Sequence, residues 1–116
     1  GGIWQCVKAA GVAEAAGIPV TLHSGGELGL SQAAYLHLAA SIPNLNLAID
    51  TEYYYHSTDI VTEPFAIRDG RLGVPQEPGL GVEPDLDALE RFRSSKVIGA
   101  YLDPDRPGWF AEKPKY

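Results

Sequence analysis

The order of apolar patterns over residues 3–50 constrains the fold of this chain more than any other feature. Apolar residues recur at steps of three and four from Ile3 to Ala16, and Gly17 follows where a helix C-cap belongs, which predicts an amphipathic helix. Residues 18–22 form a short apolar run rich in β-branched side chains, typical of a strand buried on both faces. The two patterns repeat from Leu30 to Ala40 and over 45–50. This alternation predicts an α/β fold with a parallel sheet.

Two parallel strands are too few to complete such a fold, because they leave sheet edges unpaired and apolar surface in water. A (β/α)8 barrel takes about 250 residues, whereas this chain has 116. We therefore expect the C-terminal part of a (β/α)8, TIM-type barrel, not a complete barrel by itself. The start at Gly1-Gly2 and the absence of methionine lead us to expect that processing or truncation produced this beginning.

The pattern changes after residue 62. Apolar alternation on both sides of Asp69-Gly70 predicts a hairpin, and the Pro- and Gly-rich stretch 76–83 predicts a loop. Asp85 can cap a short helix that carries Leu86, Leu89 and Phe92. We therefore divide the chain into the two βα units, 1–62, a second segment of hairpin, loop and helix, 63–93, and an irregular tail, 94–116.

Composition excludes several classes of protein. The single cysteine, Cys6, cannot form an internal disulfide or a cysteine metal cluster, so we expect a cytoplasmic protein. The formal net charge is -6 and there is no basic run, so nucleic acid is not an expected partner. Apolar stretches also fall short of the roughly 20 residues that span a bilayer, so we expect no membrane association.

Two polar residues stand where catalytic side chains cluster in parallel α/β folds, at the carboxyl ends of the strands. His23 follows the first strand and Asp50 follows the second. Neighbouring strands lie about 4.8 Å apart, so we predict that the two side chains approach each other and that His23 faces an open concavity. A histidine oriented by a carboxylate is suited to proton transfer. A purely structural histidine is the alternative, and spacing alone does not decide between them.

The other candidates carry weaker signals. The glycines at 25, 26 and 29 could let backbone amides approach an anion, or could form only a tight turn into the helix. His37 lies among helical leucines and is interpreted as structural, and Cys6 as a packing residue. His56 follows Tyr53-Tyr54-Tyr55, a cluster that could form a substrate wall or pack beneath a lid.

Three motifs succeed one another along the chain: Ile18-Pro-Val-Thr-Leu-His23-Ser-Gly, then Ala48-Ile49-Asp50-Thr51, then Glu63-Pro64 through Asp69-Gly70 and Val74-Pro75 to Pro78-Gly79-Leu80-Gly81-Val82-Glu83. Over residues 1–93 the chain thereby resembles the last third of an enolase-superfamily enzyme, in the mandelate racemase and glucarate dehydratase group. The resemblance implies that 3–16 is the sixth barrel helix, that 20–22 and 47–49 are the seventh and eighth strands, and that 65–92 returns to an N-terminal capping domain.

The resemblance also implies a chemistry, which is removal of the proton α to a carboxylate to give an enediolate stabilised by magnesium. It makes His23 the general base and Asp50 an acid that contacts the substrate or orients groups near the intermediate. Ser24, Gly25 and Glu52 fall in the implied substrate pocket, with Gly25 and Glu52 departing from the Asn and His of glucarate dehydratases. The magnesium ligands and the acid that pairs with the histidine are expected upstream of Gly1, so no metal ligand is assigned to this chain.

The implied activity is that of a sugar-acid (hydroxy-acid) dehydratase, a lyase, and the chain alone is expected to be inactive. A racemase or epimerase, or a muconate cycloisomerase, is the alternative within the superfamily, although cycloisomerase relatives use lysines on other strands, so His23 favours the racemase and dehydratase branch. A non-catalytic fragment or interaction module is the alternative from another class. The expected partners are a small carboxylate substrate, the remainder of the barrel with its capping domain, and further copies in a homo-oligomer.

Overall fold

A computed structural model describes residues 2–23 and 25–93. In these ranges the α-helices are α1 (Ile3–Ala15), α2 (Gly29–Ser41) and α3 (Leu86–Arg91), and Tyr53–Tyr55 form one turn of 3-10 helix. The predictions of α1 and α2 are confirmed to within one residue at each end. Gly17 has a φ of 70°, the left-handed conformation that ends α1 as predicted.

The helices α1 and α2 pack against each other and enclose a small apolar core. Its buried members come from both helices and from the residue that follows α2: Ala10, Leu38 and Ile42. Partly buried side chains from α1 and from the two extended segments surround them: Cys6, Val7, Val20, Leu22 and Leu45. The interpretation of Cys6 as a packing residue is therefore confirmed, and the core ties both extended segments to the helix pair.

The two predicted strands form only in part. The segments 18–23 and 44–50 lie side by side, and the parallel bridge between them joins His23 and Asp50. The amide of Val20 donates to the carbonyl of Asn44 at 3.0 Å, and that of Asp50 to the carbonyl of Leu22 at 3.3 Å. Val20 and Leu22 are two residues apart, whereas their partners Asn44 and Asp50 are six residues apart. A regular parallel ladder requires equal spacing on both strands. A pair of segments without further strands is only marginally stable, which explains the irregularity.

The segment after the 3-10 helix pairs with the residues that precede α3. Residues 60–62 run antiparallel to 83–85, with Thr62 N–H donating to Glu83 O and Asp85 N–H to Ile60 O, both at 2.9 Å. The predicted turn at Asp69-Gly70 is present, with φ values of 50° and 70°, but its pairing is limited to the bridge between Arg68 and Arg71. The predicted hairpin is therefore shorter than expected.

Two side chains anchor this returning part. The Asp85 carboxylate accepts a hydrogen bond from the amide of Ala88 at 2.9 Å and caps α3, as predicted. The ring Nε2 of His37 on α2 lies 3.0 Å from the carbonyl oxygen of Leu80 and holds the 76–83 loop against the helix, which confirms its structural role. Across the described residues, no helix has the length and apolar character needed to cross a bilayer. The predicted tail, 94–116, lies outside the described residues.

Candidate active site

The two predicted catalytic residues meet at the ends of their segments. The Nδ1 atom of His23 lies 2.7 Å from Oδ2 of Asp50, although 27 residues separate them in the chain. The parallel bridge between the same two residues holds their backbones side by side. The prediction that these side chains approach each other is therefore confirmed. Within the described residues the carboxylate that contacts His23 is that of Asp50, and the further acid expected upstream of Gly1 stays a prediction.

The pairing fixes which imidazole nitrogen is available for chemistry. An ionised carboxylate can only accept hydrogen bonds, so when the imidazole ring is neutral the Nδ1–H of His23 donates to Asp50. The lone pair of the neutral ring then lies on Nε2, for which the described residues provide no hydrogen-bond partner.

The pair is open to solvent. The side chains of His23 and Asp50 are 76% and 67% exposed. A cavity of about 990 Å³ lies between the hairpin and the 75–83 loop, but neither residue lines it. This cavity therefore does not confirm the prediction that His23 faces an open concavity. The expectation that His23 avoids a packed apolar face is confirmed.

The glycine-rich loop after His23 is held by protein carboxylates. The amide of Gly25 donates to Oε1 of Glu27 at 2.9 Å, and the amide of Gly29, the first residue of α2, donates to Oδ1 of Asp59 at 2.8 Å. Because these two amides are already bonded, the structure favours the tight-turn interpretation of the glycines over an anion site. Ser24, predicted to bind substrate, lies outside the described residues.

The loop after Asp50 is tied down on one side and open on the other. Thr51 Oγ1 donates to Oε1 of Gln32 on α2 at 3.0 Å and accepts from the amide of Tyr53 at 3.2 Å. Glu52 is exposed, and its carbonyl accepts from Tyr55 N–H at 2.9 Å. Glu52 lies two positions after Asp50 in the chain. The roles of Gly25 and Glu52 in substrate binding stay predictions.

The tyrosine cluster divides between the two roles that the sequence left open. Tyr53 is buried and packs edge-on against the rings of His56 and Phe65, with centroids 6.3 and 5.7 Å away. Tyr54 and Tyr55 are exposed, and their ring centroids lie 4.1 Å apart. The first tyrosine is thus a packing residue, whereas the next two form an open aromatic surface.

Two residues beside the site were missed from the sequence. Gln32 is completely buried, and its Nε2 has no hydrogen-bond partner among the described residues. The sequence does mark Gln32, because it is a polar residue on the otherwise apolar buried face of α2. Asp59 bonds to residues on two other segments, and no local pattern announces contacts of that range. Both residues hold the loops that follow His23 and Asp50.

The described residues do not form a metal site by themselves. Residues 2–23 and 25–93 contain no group of three or more His, Cys, Asp or Glu side chains placed to hold a metal ion. A hard divalent cation needs several converging oxygen ligands, and the His23–Asp50 pair offers one carboxylate. The residues present therefore do not fit a magnesium ion without ligands from elsewhere.

Comparisons with known proteins point to one family. The family model "Enolase C-terminal domain-like" matches residues 1–88. The curated "Probable glucarate dehydratase" of Streptomyces coelicolor is 38% identical over 105 residues, covering 90% of this chain and 23% of that protein. An N-succinylamino acid racemase of Amycolatopsis is 41% identical over 99 residues, covering 84% and 26%. Muconate cycloisomerase 1-1 of Acinetobacter lwoffii is 35% identical over 101 residues, covering 84% and 26%. The chain spans about a quarter of the length of these relatives.

Solved structures agree with the sequence relatives. A crystal structure of an isomerase from Streptomyces coelicolor superposes with a TM-score of 0.75 at 47% identity, covering 79% of this chain and 24% of that chain. An enolase from Pseudomonas fluorescens with bound magnesium, potassium and tartrate superposes with a TM-score of 0.73 at 34% identity, covering 78% and 22%. The described fold is thus shared with one part of much longer chains.

Proposed function

Because this chain belongs to the enolase C-terminal domain-like family, in the mandelate racemase and muconate lactonizing group, we propose that it closes the catalytic barrel of an enzyme that removes the proton α to a carboxylate. Residues 1–62 supply the last βα units, and 63–93 return toward a capping domain. The observation that carries the proposal is the 2.7 Å contact between His23 Nδ1 and Asp50 Oδ2 at the ends of parallel segments.

His23 is the proposed base. Its Nε2 takes the α-proton, and the electrons of the C–H bond move into the substrate carboxyl group to give an enediolate. Asp50 accepts the Nδ1–H throughout, so it keeps the ring in the productive tautomer and balances the imidazolium charge. The exposure of both side chains leaves room for a substrate to approach from the open side.

The activity that we favour is dehydration of a sugar acid. In that reaction the β-carbon–oxygen bond breaks, the imidazolium returns its proton to the departing hydroxyl, and water leaves. The enol that remains tautomerises to a 2-keto acid, so one residue serves first as base and then as acid. The 38% identity to the Streptomyces protein supports this class, and the tartrate bound to the Pseudomonas structure is a hydroxy-acid.

The proposal assigns metal binding to the rest of the intact protein. Magnesium in this chemistry stabilises the enediolate oxygens, and the structure of a relative contains it. The described part of this chain lacks a ligand cluster, so we assign no metal ligand to it and His23 acts here only on the proton.

The exposed apolar side chains support a place within a larger barrel. Trp4 and Val12 on α1 are 69% and 74% exposed, and Ile18 and Leu47 on the two extended segments are also exposed. Side chains of this kind are normally buried by neighbouring elements. The remainder of the barrel would cover them. The cytoplasmic location and the homo-oligomer belong to the same proposal and rest on sequence alone.

A racemase is the second candidate, because the Amycolatopsis racemase is 41% identical over 99 residues. The two candidates share the proton-removal step and differ in the step after it. A dehydratase loses the β-hydroxyl, whereas a racemase or epimerase returns a solvent proton to the α-carbon and keeps every other bond.

The test is to incubate the intact protein with magnesium in deuterated water and a panel of sugar acids, N-succinylamino acids and muconate, with products identified by NMR. We expect a 2-keto acid from at least one sugar acid. An α-deuterated, inverted N-succinylamino acid would favour the racemase, and a lactone the cycloisomerase. No reaction or α-exchange with any member in the wild type would contradict the proposal and favour an interaction module.

A further inference from the structure

Asp59 joins the two loops that follow the catalytic pair. Its Oδ1 accepts hydrogen bonds from the amides of Gly29, at 2.8 Å, and Ile60, at 2.7 Å. Its Oδ2 accepts from the phenol O–H of Tyr53. Gly29 starts α2, six positions after His23, and Tyr53 lies three positions after Asp50. One carboxylate thus bonds to both loops at once.

Tyr53 is a dependable donor in this junction. It is only 6% exposed, and burial, followed by the hydrogen bond to Asp59, raises the pKa of its phenol to about 12. Its hydroxyl therefore stays protonated at physiological pH. The same oxygen accepts from the amide of Phe65 at 3.0 Å, which fixes the direction of the O–H toward the carboxylate.

The fit at Gly29 is too tight for any side chain. A Cβ atom there would lie 2.9 Å from Oδ2 of Asp59 and 2.9 Å from Cγ1 of Val61, with the other methyl of Val61 closer still. Real Cβ atoms almost never approach other atoms so closely. The start of α2 therefore rests directly on the 59–61 segment.

A second hydrogen bond joins α2 to the loop after Asp50. Thr51, the residue after Asp50, donates to the buried amide oxygen of Gln32, one turn further along α2. The first turn of α2 therefore contacts the loop after Asp50 at Thr51 and, through Asp59, at Tyr53. The imidazole of His56 also approaches Gly26, since its Cε1 lies 3.9 Å from the position of a Cβ there.

We propose that Asp59 is a positioning residue, which sets the separation of the loops after His23 and Asp50 and so holds the imidazole against its carboxylate. The expected effect of Asp59 on turnover rests on the proposed function. Its expected effect on the geometry of the His23–Asp50 pair does not. An asparagine cannot replace Asp59 fully, because its amide nitrogen would face a donor where the carboxylate accepts.

The first test reads the geometry of the pair by imidazole ¹⁵N NMR of the intact protein, selectively labelled at histidine, with His23 assigned through His23→Asn. At a pH where the His23 ring of the wild type is neutral, we expect the ring to be protonated at Nδ1 and bare at Nε2. In Asp59→Asn we expect both His23 signals to shift toward those of Asp50→Asn, in which the charged partner is lost. The matched control, Asp87→Asn, changes an exposed carboxylate on α3 and should leave them unmoved.

Tyr53→Phe removes one of the Asp59 contacts with a smaller change in chemistry, and it serves if Asp59→Asn does not fold. Wild-type His23 signals in a folded Asp59→Asn protein, or in folded Tyr53→Phe when that variant replaces it, overturn the inference. The second test uses whichever substrate is turned over. A displaced base should lower kcat about 10- to 100-fold while KM stays within about twofold. A KM effect alone would contradict positioning of the base, and absence of turnover in the wild type would bear only on the proposed function.

Discussion

Asp50 Oδ2 lies 2.7 Å from Nδ1 of His23, and the same two residues form the parallel bridge between the segments that carry them. The backbone pairing brings the two side chains together, because the carboxyl ends of parallel segments lie at the same edge. Under the proposed function, this pairing places the base and its carboxylate partner side by side within one short chain.

Asp50→Asn should be milder than loss of the histidine. The amide keeps the size and its oxygen can still accept from Nδ1–H, but the negative charge that the carboxylate places beside the ring is gone. We expect turnover to fall by less than the roughly 10²- to 10⁴-fold that a positioned acid/base group contributes. Steady-state rates of the two variants, measured side by side, check this. An Asp50→Asn protein as slow as His23→Asn would instead make the carboxylate an equal partner in proton transfer.

Gly29→Ala should destabilise the fold, whereas Gly11→Ala should stabilise it. A Cβ at Gly29 meets Val61 and Asp59, while one at Gly11 in α1 has nothing within 4 Å. Overpacking costs roughly 1–3 kcal/mol, and the helix preference of alanine over glycine adds about 0.5–1 kcal/mol at an open position. Urea unfolding of the intact protein measures both. Equal changes at the two positions would show that the contact at Gly29 is relaxed without cost.

Tyr53 should make stability depend on alkaline pH. Its phenol pKa is raised from 10.0 to about 12, so between these values the unfolded chain loses a proton that the folded chain keeps. Folding stability from this group is fully present below pH 10 and falls as the pH rises toward 12. Comparing wild type with Tyr53→Phe isolates the effect by denaturant unfolding, and tyrosinate absorbance follows the titration. A Tyr53 that ionises near pH 10 would contradict the burial and bonding described for it.

The 116-residue chain by itself should bind magnesium weakly or not at all. Its described part offers no converging set of carboxylates, and magnesium demands several oxygen ligands in near-octahedral geometry. Isothermal titration calorimetry on the chain and on the intact protein gives the comparison. Tight, stoichiometric binding by the chain alone would show that it holds a complete metal site.

The sequence predicted those features that depend on local periodicity or on topology. The helices α1 and α2 followed from three- and four-residue apolar spacing, and the meeting of His23 with Asp50 followed from strand order. The prediction of regular strands was wrong, because a regular ladder over residues 44–50 needs neighbouring strands to pair with. The described part of the chain does not supply them. The Asp59 junction could not be foreseen, since its carboxylate bonds to an amide 30 positions away.

The central claim is that His23 is the base, and solvent deuterium exchange at the substrate α-carbon tests it most directly. The comparison uses the intact protein with magnesium, as wild type, as His23→Asn, and as His37→Asn, which makes the same change in the histidine that holds the Leu80 carbonyl. Asparagine cannot take a proton at neutral pH, so we predict that exchange falls by about 10²- to 10⁴-fold in His23→Asn. We also predict that His37→Asn exchanges as the wild type does. Wild-type exchange in a folded His23→Asn protein would contradict the account and move the base to another residue.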